Sequence, residues 1–128
     1  MFFKPAGSTA QLSLGARGEI LALEYLRRER FRILEKNHRS RLGEIDIVAE
    51  KKGRLYFVEV KTRSGPERGS GAESVTREKQ RRLARLAAAY LQKNKKTDAP
   101  VSFAVISILW QPPQEAKISW IDNAFMVE

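Results

Sequence analysis

Two neighbouring apolar segments of the chain carry charged side chains whose types and spacing suit phosphodiester chemistry. Asp46 lies in the segment GEIDIVA, and Glu59 and Lys61 lie in the segment FVEVKTR. Residues two apart in a strand point to the same face, so Glu59 and Lys61 are predicted to project together. Carboxylates suit a hard divalent ion, and a lysine beside that ion can hold a phosphate or a water. These groups indicate a metal-dependent phosphodiesterase.

The residues between the two segments predict how the strands pair. With Lys52-Gly53 as a two-residue hairpin loop, Lys51 pairs with Arg54. The same count places Asp46 directly opposite Glu59. Opposed Cβ atoms lie roughly 4.5–5.5 Å apart, where like charges destabilise the sheet. The pair therefore needs a compensating cation, which favours a divalent metal.

An ordinary charged hairpin is the alternative interpretation. By the same count Lys61 lies opposite Glu44, and the two could simply pair across the strands. However, Phe57 shares the face of Glu59, and Val48 shares the face of Asp46. A face that is half apolar and half acidic favours the wall of a functional site.

A first helix is predicted from about Ser8 to Arg30, and it carries an acid on its apolar side. At 100° per residue, Glu19 falls beside Ala22 and Leu26, away from the solvated stripe. An acid on the core side of a helix is costly unless it is paired or bound to metal. Glu19 is therefore a candidate site residue, with a salt bridge to a core-facing Lys or Arg as the alternative.

A second helix is predicted to begin at the cap Thr76 and to continue to about Asn94. Lys79 and Gln80 fall on its apolar face, one turn before Leu83. Polar groups at that position can reach a site at the helix N-terminus, where the dipole favours phosphate. A snorkelling lysine and a satisfied glutamine are the alternative.

The charge balance favours a polyanionic partner. The chain has 24 Lys and Arg against 15 Asp and Glu, a net charge of +9. Such a surplus favours nucleic acid, although a soluble basic protein without a specific partner is the plain alternative. Seven basic residues near the candidate site are predicted to contact phosphate: Arg63, Arg68, Arg77, Lys79, Arg81, Arg82 and Arg85.

Length and composition exclude several other classes. The 128 residues suit one domain, 1–128, and the chain has no cysteine and one histidine, His38. Disulfides and a cysteine nucleophile are excluded, and a structural zinc site is disfavoured. The sequence has no long apolar run and no signal-peptide pattern, which predicts a cytoplasmic protein without membrane contact.

The remaining elements complete the order α-β-β-β-α-β, with a small extension. Strands are predicted at Phe31–Asn37, Glu44–Ala49, Leu55–Thr62 and Val101–Leu109, with an added edge strand at Lys117–Ile121.

These motifs resemble a known family. The pattern GARGE, NHR, GEIDIVA, FVEVKTR and KQRRL, between Leu14 and Leu91, is similar to that of the YraN-like family of small bacterial proteins. That family is placed in the PD-(D/E)xK nuclease superfamily and is similar to archaeal Holliday-junction resolvases.

The resemblance implies an α/β fold with a mixed β-sheet flanked by helices and an αβββαβ restriction-endonuclease-like core. It implies that Asp46 and Glu59 ligate Mg²⁺ or Mn²⁺ and that Lys61 is the catalytic lysine. Glu19 matches the N-terminal helix acid of resolvase-like members, and Gln80 matches a helix position that is often polar; we group both with the catalytic residues.

The expected function is therefore metal-dependent endonuclease cleavage of DNA, including branched DNA. A homodimer is expected by analogy with resolvases. One departure is Ser102-Phe103-Ala104, where the family commonly carries Arg-Phe-Asp. The alternatives are a non-catalytic nucleic-acid-binding module that retains the nuclease fold, and a protein-interaction scaffold.

Overall fold

Two helices lie on opposite faces of one six-stranded sheet in the computed structural model, which describes residues 2–3, 12–65, 76–111 and 113–122. The strands are β1 (Phe2–Phe3), β2 (Arg32–Ser40), β3 (Gly43–Lys51), β4 (Arg54–Arg63), β5 (Val101–Leu109) and β6 (Ala116–Ile121). The helices are α1 (Leu14–Arg28) and α2 (Arg77–Lys93). From α1 to β5 the order is αβββαβ, so the predicted mixed sheet flanked by helices is confirmed.

Both helices begin at a side-chain cap. Ser13 Oγ accepts a hydrogen bond from the Ala16 N–H at 3.1 Å, and Thr76 Oγ1 accepts one from the Lys79 N–H at 3.2 Å. Each cap satisfies a backbone donor that has no partner within the helix. The start of α2 is as predicted. The predicted start of α1 near Ser8 lies outside the described residues, and the described helix begins at Leu14, after the extended cap Ser13.

The strand order across the sheet is β1-β6-β5-β4-β3-β2. β4 and β5 are parallel and are connected through α2, whereas the other neighbouring strands are antiparallel. β4 is therefore an interior strand with β3 on one side and β5 on the other. The predicted strand Lys117–Ile121 is present as β6, but β6 is not the outermost strand, because β1 pairs with Ala116 and Lys117. A two-residue strand such as β1 is too short to show a periodicity in the sequence.

Buried side chains form a separate core on each face of the sheet. The α1 core includes Leu21, Ala22, Leu26, Ile47, Ala49 and Val58. The α2 core includes Ile45, Val48, Phe57, Leu83, Leu86 and Val105. Phe57 and Val58 are adjacent in sequence and lie in different cores, as the alternation of side chains along a strand requires. In the part of the chain that the structure describes, no helix is long and apolar enough to cross a membrane.

The β3–β4 hairpin turns where the sequence predicts. Lys51 pairs with Arg54, and the loop residues Lys52 and Gly53 both have left-handed φ values, 52° and 81°. Two left-handed residues define a type I′ turn, whose twist matches that of paired strands. This turn sets the register that runs towards the candidate acids.

Candidate functional site

Asp46 lies where β3 separates from β4. The two strands pair from Lys51–Arg54 as far as Ile47–Val58. The pairing therefore stops just short of Asp46, the residue that precedes Ile47. At this point a side chain takes the place of the backbone pairing, because Asp46 Oδ2 accepts a hydrogen bond from the Val60 N–H at 2.8 Å. The predicted direct pairing of Asp46 with Glu59 is therefore replaced by a bond to the next backbone amide.

The backbone of β3 is irregular at Asp46. Ile45 lies in the α2 core and Ile47 lies in the α1 core, although residues two apart in a regular strand share a face. On the neighbouring strand, Asn37 lies between the residues paired with Ile45 and Ile47, and its φ is 51°. A local break of this kind turns a side chain away from its regular direction, as β-bulges do beside active sites. The irregularity directs Asp46 towards Val60 on β4.

Glu59 and Lys61 share the α2 side of β4, as predicted. Lys61 Nζ lies 3.9 Å from Glu59 Oε1, and Lys79 Nζ from α2 lies 2.5 Å from the same oxygen. The Glu59 side chain is only 13% exposed, so these ammonium groups balance a charge that has lost most of its hydration. The predicted alternative, in which Lys61 pairs with Glu44, is wrong. β3 has already left β4 at that position, and Glu44 bonds Arg39 instead.

The surroundings of Asp46 disfavour its negative charge. Burial, the largest cause, and then the charge of Glu59 raise the pKa of Asp46 from 3.8 to about 6. The bond from the Val60 N–H lowers this pKa, while Glu19 and Glu44 add smaller increases. The charges of three acids thus raise the pKa of a fourth. Repulsion of this kind is typical of sites that hold a cation or a proton.

A close approach between α1 and β4 carries Glu19 to this end of the sheet. A Cβ atom built on Gly18 would lie 1.8 Å from Thr62 Oγ1 and 2.8 Å from Thr62 Cβ. Only a glycine permits that contact, because any side chain would push the helix off the strand. Glu19 follows Gly18 in the chain and is half-buried, and its charge reaches Asp46. The predicted position of Glu19 near the acids is thereby explained.

Asp46 and Glu59 are two carboxylates that could hold a divalent ion only if other ligands came from water or substrate. Among the described residues, no three His, Cys, Asp or Glu side chains are grouped closely enough to hold one ion. Mg²⁺ is commonly held by one or two carboxylates, with waters and substrate phosphates as its other ligands. Asp46 and Glu59 supply such a pair, and a cation beside them would relieve the repulsion that raises the pKa of Asp46.

The other predicted residues lie around the first turns of α2 and at the end of β4. Gln80 is half-buried, and the exposed members of the basic set are Arg77, Arg81, Arg82 and Arg85. Arg63 is half-buried, and its Nη2 donates to Ser107 Oγ at 3.4 Å. Arg68 lies outside the described residues. The basic set is therefore an exposed helix face with a more buried arginine behind it.

Lys79 lies in a different place from the one that its sequence position predicts. It was grouped with the phosphate contacts, and the structure places its ammonium on Glu59. The available signal was its position on the apolar face of α2, one turn before Leu83. That signal shows that a lysine points inward, but its partner depends on how α2 packs against β4.

A separate cavity of about 490 Å³ lies at the turn end of the hairpin, away from these acids. Its aromatic lining includes Tyr25, Phe31, Tyr56 and Trp120, and Lys52 of the hairpin loop lies on its rim. The Phe31 and Tyr56 rings meet edge to face, with centroids 5.0 Å apart. Among the described residues, Asp46 and Glu59 are not part of the lining of this cavity.

This chain belongs to the uncharacterised protein family UPF0102, whose family model matches residues 18–108. A UPF0102 protein of Geobacter metallireducens is 47% identical over 113 residues, covering 88% of this chain and 92% of the relative. A UPF0102 protein of Symbiobacterium thermophilum is 44% identical over 112 residues, covering 88% of this chain and 95% of the relative. One from Rhodococcus opacus is 41% identical over 114 residues, covering 89% and 97%. The family assignment made from the motifs is confirmed, and the matched segment contains the whole candidate site.

Proposed function

We propose that this protein is a Mg²⁺- or Mn²⁺-dependent endonuclease that hydrolyses phosphodiester bonds in DNA, with branched DNA as the first substrate class to test. The observation that carries the proposal is the repulsion between Asp46 and Glu59 at the end of a hairpin, with Lys61 beside them. The charge of Glu59 raises the cost of ionising Asp46, which suits a bound cation, and a neighbouring ammonium suits a phosphate. The motif resemblance to nucleases supports the same chemistry.

Asp46, Glu59 and the carbonyl oxygen of Val60 would hold the divalent ion. When bound, the ion supplies Lewis-acid stabilisation of the negative charge that develops at the scissile phosphate. The bond between Val60 N–H and Asp46 Oδ2 holds one carboxylate oxygen in place. The other oxygen is then the one oriented for a ligand. Glu19 would help to hold a second ion, or the water molecules bound to the first ion, since its charge already acts on Asp46.

Lys61 would act on the reacting groups directly. Its ammonium orients the attacking water and donates hydrogen bonds to the phosphate oxygen that gains charge. The contact with Glu59, at 3.9 Å, restrains the lysine next to the carboxylates. Gln80, half-buried in the first turn of α2, would position the same water or phosphate. These roles require the end of β4 and the start of α2 to stay close together.

Affinity for DNA would come mainly from the exposed basic face of α2. Arg77, Arg81, Arg82 and Arg85 are exposed on the helix that begins beside Glu59. Arginine contacts with phosphate position a duplex without reading its sequence, and their strength falls as salt rises. Shape-dependent rather than sequence-dependent binding would follow, which suits a branched substrate. A substrate with two-fold symmetry would also favour binding by a homodimer.

The test is cleavage of end-labelled DNA by the purified protein. The panel contains a single strand, a duplex, a flap and a four-way junction, each with Mg²⁺, Mn²⁺ or EDTA. We expect metal-dependent cutting by the wild type and a loss of at least ~10²-fold in Lys61→Ala, since that is the usual effect of removing one stabilising donor. Equal cutting by wild type and Lys61→Ala would reject the proposed mechanism and indicate a contaminating nuclease.

A non-catalytic nucleic-acid-binding module is the second candidate, and one observation favours it. Glu59 is already neutralised by Lys79 at 2.5 Å, so this carboxylate has a cation without any metal. Salt-sensitive binding to the panel, with no cutting under any metal condition, would support this candidate over the nuclease.

A further inference from the structure

Two lysines from different elements converge on one oxygen of Glu59. Lys61 reaches Oε1 from the same strand at 3.9 Å, and Lys79 reaches it from the first turn of α2 at 2.5 Å. The Lys79 side chain is 23% exposed, so the lysine makes this contact from a largely buried position. The closer ammonium is therefore the main counter-charge of Glu59.

The position of Lys79 depends on how α2 begins. Thr76 caps the helix by accepting a hydrogen bond from the Lys79 N–H, which fixes the backbone of that lysine. Leu83 follows Lys79 by one turn and is buried in the α2 core, so the same packing that seats the helix aims the lysine at β4. Lys79 therefore reaches Glu59 from a fixed helix rather than from a loop.

A divalent ion and the Lys79 ammonium compete for the same carboxylate. An ion held by Asp46 and Glu59 must lie close to the oxygen that Lys79 contacts, and two cations at such a distance repel strongly in a half-buried site. Binding of the ion thus disfavours the Lys79–Glu59 contact, and the contact disfavours the ion. By linkage, each lowers the affinity of Glu59 for the other by the same factor.

We propose that Lys79 is the internal counter-cation of Glu59, that a divalent ion displaces it, and that the displaced ammonium then binds substrate phosphate. The inference rests on the proposed metal site and adds a residue that couples metal binding to phosphate binding. Without the divalent ion, Lys79 positions the carboxylate of Glu59. With the ion bound, Lys79 contacts substrate phosphate. A lysine that serves only to attach α2 to β4 would show no such coupling.

The first experiment measures Mn²⁺ affinity by titration calorimetry on the pure protein without DNA. Lys79→Met removes the ammonium and keeps most of the apolar stem, and Lys93→Met is the control at an exposed position in the last turn of the same helix. We expect Lys79→Met to bind Mn²⁺ about tenfold more tightly than wild type, because the competing cation is gone. Lys93→Met should match the wild type. In the Glu59→Gln background, Lys79→Met should bring no gain.

Each contrary result has a distinct meaning. Equal or weaker Mn²⁺ binding by Lys79→Met would overturn the exchange and leave the metal site in place. Absence of Mn²⁺ binding in every variant, Lys79→Met included, would overturn the metal site and the exchange together. Melting curves with and without Mn²⁺ show that each variant is folded, and Lys79→Gln replaces Lys79→Met if the latter does not fold.

The second experiment tests the transfer of the ammonium to phosphate. DNA binding is measured by fluorescence anisotropy in the Lys61→Ala background, where cutting is not expected. We expect Mn²⁺ to tighten duplex binding severalfold with Lys79 present and to have a clearly smaller effect with Lys79→Met. An equal effect of Mn²⁺ in both proteins would overturn the phosphate half of the proposal.

Discussion

The two ends of strand β3 carry acids in opposite electrostatic surroundings. Near the turn, Glu50 bonds Arg32 Nη2 through Oε1 at 2.5 Å and has Lys96 Nζ 3.8 Å from Oε2. Four residues earlier, Asp46 is surrounded by the charges of Glu59, Glu19 and Glu44, and its pKa is raised to about 6. Both acids belong to one strand, but among the described residues only Glu50 is matched by arginine and lysine side chains.

The contrast separates a structural charge from a candidate functional one. An acid with cationic partners adds modestly to stability, and it can be replaced at small cost when its partners are exposed. An acid that is buried among other acids lowers stability unless a cation arrives, so its retention calls for another explanation. Backbone geometry follows the same division. The turn end is a regular paired hairpin, whereas the Asp46 end is irregular and its strands separate.

The strongest test of this contrast compares an amide substitution of Glu59, the β4 acid that acts on Asp46, with one of Glu50. Glu59→Gln should reduce metal-dependent cleavage by at least ~10²-fold, because a metal ligand is worth several kcal/mol in the transition state. Glu50→Gln should leave cleavage within about twofold, because the salt bridges that Glu50 makes in the described part of the chain are to Arg32 and Lys96. Cleavage rates on the preferred substrate measure both. If the two variants lost activity equally, the distinction between the ends would be lost.

The next test concerns α1, the helix that carries Glu19 towards the Asp46 end of β3. Gly18→Ala should lower the free energy of unfolding by about 1–3 kcal/mol, because the added methyl overlaps Thr62 and overpacks the contact. Gly15→Ala is the matched control in the same helix, since nothing lies within 4 Å of a Cβ there. It should raise stability by about 0.5–1 kcal/mol through helix propensity. Urea denaturation measures both, and a stable Gly18→Ala protein would contradict the close approach.

The third test uses stability and pH. Because the folded pKa of Asp46 is about 6 and the ordinary value is 3.8, its contribution to stability is full below pH 3.8 and is lost as pH rises through 6. In EDTA at pH 8, Asp46→Asn should therefore be more stable than wild type by about 1–2 kcal/mol, after allowance for solvent screening. The advantage should shrink towards pH 4. Asparagine can still accept the Val60 N–H bond.

Glu50→Gln is again the control, and it is expected to lower the stability rather than raise it. Loss of the contacts with Arg32 and Lys96 should lower stability at pH 8 by less than about 1 kcal/mol, since Arg32 is 67% exposed. Chemical denaturation at pH 4 and pH 8 gives both values. A destabilised Asp46→Asn protein in EDTA would show that the carboxylate is satisfied without a cation.

The smallest expected effect concerns the basic helix face. Arg81→Ala should weaken duplex binding a fewfold and reduce the salt slope by about 1, as expected for one lost phosphate contact. Arg27→Ala is the control, because Arg27 is an exposed helical arginine in the last turn of α1, at the other end of the sheet. Anisotropy at several salt concentrations measures both slopes. Equal slopes for the two variants would show that DNA does not bind at the basic face of α2.

Much of the fold followed from local patterns. The apolar run Val101–Leu109 predicted β5 without error, and Thr76 predicted the start of α2. The loop Lys52-Gly53 predicted the hairpin register near the turn. These features are determined by neighbouring residues, through side-chain alternation, capping and left-handed turn conformations. β1 escaped prediction because its local signal is weak.

The candidate site was predictable as a set of residues but not as an arrangement. The sequence by itself determined that Asp46, Glu59, Lys61 and Glu19 are charged groups on apolar elements, because periodicity alone reveals polar residues on a buried face. Only the tertiary structure decided that Asp46 bonds the Val60 amide and that Lys79 contacts Glu59. Those contacts join elements that are distant in the chain. They depend on where β3 leaves β4 and on how closely the helices pack, and neither is set by local sequence.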